Sequence, residues 1–102
     1  MFRMFRSTPS PAEKMAESFG VVIGAAACSG GISAARIMAA TGRMRDVLAA
    51  TADDADDAKA ACLRFSSAVL AGRTAAQSGR IGGQAAATAL SEIEQDLASA
   101  GH

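Results

Sequence analysis

After Pro11 the sequence contains no proline, and 26 of its 102 residues are alanine. Alanine is the strongest helix former and proline the strongest helix breaker, so this composition leaves helix as the natural state of the backbone. Tryptophan and tyrosine are absent and strand-preferring residues are few, which argues against a sheet. The length suits one domain with a modest core. An all-α fold is therefore expected, with 1–9 as an irregular N-terminal tail carrying Phe2 and Phe5, and 10–102 as a single helical domain.

The first helix has a sharp start. Ser10 as N-cap, Pro11 at the first helical position and Glu13 at the third spell a capping box. A heptad pattern then places Ala16, Ile23, Gly30, Ile37 and Met44 in one core row and Phe19, Ala26, Ser33, Ala40 and Val47 in the other. The pattern predicts a helix over about 11–50, with Gly42 as the place for a kink or break.

Four aspartates, Asp53, Asp54, Asp56 and Asp57, then precede an uninterrupted helical stretch. Carboxylates complement the positive end of a helix dipole, so a turn near 51–53 and a second helix over about 54–100 follow. One core row runs Ala55, Cys62, Val69, Ala76, Gly83, Leu90 and Leu97; the other runs Ala58, Phe65, Gly72, Gly79, Ala86, Ile93 and Ala100. Small residues at 61, 68, 75, 82 and 89 flank these rows on one side, and Lys59, Arg73, Arg80 and Glu94 on the other. Each glycine inside a helix costs about 1 kcal/mol relative to alanine, so a kink is expected at 79–83.

These elements suggest a long antiparallel helical hairpin with a narrow waist. Gly20, Gly24 and Gly30 of the first arm and Gly72, Gly79 and Gly83 of the second are the expected helix-packing interface, where small residues let backbones approach. Leu63, Leu70 and Ile81 fall outside the core rows and form a candidate partner face, most simply satisfied by dimerisation to a four-helix bundle.

The run from Ser18 to Ala35 carries no charge. It reads as a buried seam of a helix, as a transmembrane span, or as a lipoprotein signal ending at Cys28. A span needs about 20 predominantly apolar residues, and this run is diluted by glycine and serine. Ala25-Ala-Ala-Cys28 resembles a lipobox but lacks the usual leucine, and Glu13 and Glu17 lie in what would be its basic leader. The buried seam is the favoured reading, giving a cytoplasmic protein, with membrane association as the alternative.

Chemistry is sparse. The sole histidine is His102, and with no other imidazole Cys28, Cys62 and the serines lack the usual base. The two cysteines lack metal-ligand spacing and read as small apolar helix residues. The 53–57 string DDADD resembles the DDxxD with which prenyl-transferring enzymes hold magnesium-diphosphate, but it has no second Asp-rich partner and is read as a solvated helix start. Glu13, Glu17, Glu92 and Glu94 could meet at the open end of the hairpin; a solvated surface is the expectation. No catalytic residue, cofactor or metal site is expected.

Lys and Arg together number ten and Asp and Glu together ten, so no net field attracts nucleic acid. The charges alternate in blocks along the chain: basic over 1–45, acidic over 46–57, basic over 58–91 and acidic over 92–102. Eight Arg against two Lys beside so much alanine suggests a bacterial, GC-rich coding sequence. The expected function is that of a small non-enzymatic scaffold or adaptor. It would act through helix self-association, as a homo-oligomer, and by binding a protein partner; an accessory subunit of a membrane complex, with 18–35 in the membrane or as a signal, is the alternative.

Overall fold

The capping box at Ser10 forms as the sequence dictates. Ser10 Oγ accepts from the Glu13 N–H at 3.1 Å, and Glu13 Oε1 accepts from the Ser10 N–H at 2.9 Å. In the computed structural model, which describes residues 8–101, this box opens the first of four helices: α1 Pro11–Cys28, α2 Ala34–Thr51, α3 Ala55–Gln77 and α4 Gly83–Ser99. No strand occurs among the described residues. Residues 1–7 of the expected tail, and His102, lie outside them.

The first long helix expected over 11–50 is two helices, and the break lies at Ser29–Ser33 instead of at Gly42. Gly30 adopts φ +75°, a left-handed conformation that side-chain-bearing residues avoid, and Ser33 caps α2 by accepting from the Arg36 N–H at 3.1 Å. Gly42 sits exposed within α2, where its small helix penalty is outweighed by burial of Met44, Val47 and Leu48 on the following turns. The second long helix also divides, at 78–82, with Gly79 at φ +81°. Asp54 starts α3 as N-cap, its Oδ1 accepting from the Asp57 N–H at 2.8 Å.

The long antiparallel hairpin is thus replaced by four shorter helices, and its two arms do not pair as expected. α1 and α3, the first halves of the two arms, run parallel. Ser10 meets Asp57 and Glu17 meets Arg64, each pair separated by 47 residues. Gly20 lies against Ala68, and Gly24 against Val69 and Arg73, so the offset is kept along the whole contact. The expected pairing assumed a single reversal near residue 52; the additional reversal at 29–33 turns α3 to the same direction as α1.

α2 and α4 run back against α1. Met15 and Phe19 near the start of α1 share a cleft with Val47 and Thr51 at the end of α2, and with Ile93, Leu97 and Ala100 at the end of α4. α1 therefore touches all three other helices, whereas α3 and α4 barely meet. The result is flat, with principal extents of 45 × 32 × 17 Å and a radius of gyration of 13.9 Å. Its main core joins Phe19 and Ile23 of α1, Met44, Val47 and Leu48 of α2, Phe65 of α3, and Leu90 and Leu97 of α4.

Candidate interaction surface

α3 has one buried face. Ala61, Phe65, Ala68 and Gly72 are buried at alternating spacings of four and three, the stripe of a helix packed chiefly on α1, with Phe65 also reaching the core beside Leu48 of α2. The sequence-expected row through Cys62 and Val69 is rotated away: Cys62 is exposed, Val69 half-buried, and the small residues Ala61 and Ala68 take its place. The reason is geometric, because α1 and α3 approach too closely for a valine row between them.

That closeness is set by three of the six glycines assigned to helix packing. A Cβ on Gly20 would lie 2.5 Å from the Ala68 Cβ and 2.6 Å from the Phe65 carbonyl oxygen. A Cβ on Gly24 would fall on the Val69 carbonyl oxygen, and one on Gly72 on the Val21 carbonyl oxygen. Gly20-x-x-x-Gly24 thus faces Ala68-x-x-x-Gly72, two small-residue pairs that bring backbones together. The other three glycines do not join this contact. Gly30 and Gly79 occupy turns with positive φ, and Gly83 is exposed in the first turn of α4, where a Cβ would meet the Ser29 Cβ at 3.7 Å.

On the opposite face of α3, Leu63 is 65% exposed and Leu70 63%. They lie two turns apart and point the same way, with exposed Ser66 and Ser67 between them. Asp56, Lys59, Arg73, Thr74 and Gln77 extend this face toward both ends and are also exposed. Ile81, grouped with Leu63 and Leu70 by sequence, lies in the turn after α3 and is half-buried. Met38 on α2, a residue that the heptad rows leave unassigned, is 73% exposed.

Charged side chains clamp the helices at defined points. Arg36 on α2 grips Glu94 on α4 in two-pronged fashion: Nη2 donates to Oε1 at 2.6 Å and Nε to Oε2 at 3.0 Å, while Nη2 also donates to Ser91 Oγ at 3.1 Å. Arg43 Nη2 approaches the same carboxylate at 3.8 Å. The hydrogen bond from Arg36 holds the Glu94 carboxyl below the usual carboxylate range, against the opposing effect of partial burial, and the attraction of Arg36 and Arg43 adds to the lowering. The same bond raises the Arg36 guanidinium.

Arg64 on α3 reaches Glu17 at 3.1 Å and Glu13 at 3.8 Å. The four glutamates therefore do not converge at one end: Glu13 and Glu17 face α3, whereas Glu94 is held by α2. Within DDADD, Asp57 is a structural hub, its Oδ1 accepting from Ser10 Oγ at 2.6 Å and its Oδ2 from the Asp53 N–H at 3.0 Å. It ties the start of α1 to the start of α3. Among the described residues no group of His, Cys, Asp and Glu could hold a metal ion.

The uncharged run from Ser18 to Ala35 is divided among the end of α1, the turn at 29–33 and the first residues of α2. Among the described residues, no helix is long and apolar enough to cross a membrane. Away from the α3 face, an apolar cleft of about 400 Å³ is walled by Met15, Phe19, Val47, Ile93 and Leu97, with Asp96 at its rim. Comparison with protein-family models, curated proteins and solved structures gave no significant match for this chain.

Proposed function

We propose that this protein is a small non-enzymatic helical scaffold that works by self-association, with the outer face of α3 as its contact surface. The observation that carries this reading is the pairing of Leu63 and Leu70. Two large apolar side chains stand exposed on one face of a 23-residue helix whose opposite face is already occupied by α1. A helix with apolar residues on two opposite faces is suited to lie between two layers, and among the described residues α1 covers the inner face of α3 and α2 its edge, while Leu63 and Leu70 on the outer face stay exposed. The clamps at Asp57 and Arg64 serve this role by holding α3 in a fixed setting on α1.

The measurement that tests the reading is light scattering across a concentration series on the intact chain and on a Leu63→Ser/Leu70→Ser variant. Concentration-dependent growth in mass, reduced in the variant at unchanged helicity, is expected. A mass equal to one chain at every concentration would overturn it.

A further inference from the structure

We infer that the partner of the α3 outer face is a second copy of the same face, docked antiparallel about a two-fold axis that passes between Ser66 and Ser67. The inference rests on the self-association reading above and specifies its geometry. The outer face has the symmetry such an interface requires, in which each patch contacts its own copy. Leu63 and Leu70 are equidistant from the Ser66–Ser67 midpoint and share one direction on the helix. In the antiparallel register Leu63 of each copy meets Leu70 of the other, and the small serines at the centre let the helices approach.

Charge selects this direction over the parallel one. The segment is acidic at its start, with Asp53 and Asp54 just before α3 and Asp56 in its first turn, and basic at its end, with Arg73 in the last turns of α3 and Arg80 in the turn that follows. Antiparallel docking sets each acidic end beside the basic end of the other copy and also opposes the helix dipoles. Parallel docking would set Asp56 on Asp56, Lys59 on Lys59 and Arg73 on Arg73. Among the described residues, neither Asp56 nor Arg73 forms an ion pair within the chain, so both are available.

The antiparallel register has one like-charge approach, between Lys59 and Arg73 of the second copy, which come within about one residue of each other along the axis. This flaw supplies a test that loss of folding cannot imitate. Lys59→Glu converts the repulsion to attraction twice per dimer, and dimerisation should tighten about fivefold in sedimentation equilibrium. In a parallel dimer the same change sets glutamate on glutamate and gives no tightening.

Crosslinking reads the register directly. In a Cys28→Ser/Cys62→Ser background, Ser67→Cys should be joined to its copy by a short bifunctional thiol reagent, the two sites lying about 1.5 Å apart along the axis. Lys59→Cys should not, since its copy lies about 22 Å away along the axis. Crosslinking through position 59 as readily as through 67, or no tightening by Lys59→Glu, overturns the antiparallel register while leaving self-association standing. A dimer that persists unchanged in Leu63→Ser/Leu70→Ser also overturns it, by placing the interface elsewhere. A monomer throughout removes both this inference and the reading beneath it.

Discussion

α1 meets its neighbours in two opposite ways. Toward α3 it presents Gly20 and Gly24, and the carbonyl oxygens of one helix sit where the glycine side chains of the other would be. Toward α2 and α4 it presents Phe19 and Ile23, which interleave with Met44, Leu48 and Leu90. The first contact stabilises through close backbone approach and admits no added atom. The second stabilises by removing large apolar side chains from water and cannot lose atoms without leaving a cavity. One helix thus carries a contact that fails when enlarged and another that fails when trimmed.

The strongest test of this contrast is on the trimmed side. Leu90 is fully buried, and Leu90→Ala should lower stability by about 2–5 kcal/mol in urea unfolding. On the tight side, Gly72→Ala adds one methyl group and should cost about 1–3 kcal/mol by overpacking against Val21, with Gly24→Ala behaving likewise against Val69. The same substitution at Gly42 should have the opposite sign. Its Cβ would enter open space within an established helix, and Gly42→Ala should raise stability by about 1 kcal/mol in the same assay. Equal responses at positions 42 and 72 would refute the distinction.

The smallest expected effect concerns the polar clamp and shows as a pH dependence. The folded Glu94 carboxyl is held below its ordinary range, so its contribution is present above the unfolded carboxylate pKa and is lost as pH falls through the lowered folded value. The stability difference between the native chain and Glu94→Gln should be largest near neutrality and shrink toward zero below about pH 4. A difference independent of pH would assign the contribution to shape alone.

What could be read from the residues depended on how local each signal was. The Ser10 box, the acidic helix start after a turn near 51–53 and the weak point at 79–83 are written in a few neighbouring residues; the box forms, α3 starts at Ala55 with Asp54 as its cap, and the chain breaks at 78–82. The turn at 29–33 was hidden by a coincidence of phase. Ala26 and Ala40 are both buried and lie two whole heptads apart, so the repeat continues on paper through a segment that is not helical. Ser29-Gly-Gly-Ile-Ser33, a glycine pair followed by a capping serine, was the available signal, and the heptad outweighed it.

The direction of α3 was lost with that turn, because each reversal of the chain inverts everything after it. The packing surface was legible in part. Gly20, Gly24 and Gly72 lie in the contact, but spacing alone does not separate a glycine that admits a neighbouring backbone from one that admits a positive φ, as at Gly30 and Gly79. The outward placement of Leu63 and Leu70 was readable because they stand outside every row that could be buried.

The parallel pairing of α1 with α3 also shapes how the chain reaches this structure. Its contacts join residues 47 apart, an unusually non-local arrangement for a protein made of short helices. Closing so long a loop costs entropy before any contact forms to offset it. A chain of this topology should fold more slowly than a sequential helical bundle of equal length. During synthesis, the glycine face of α1 waits without its complement while α2 emerges and most of α3 follows.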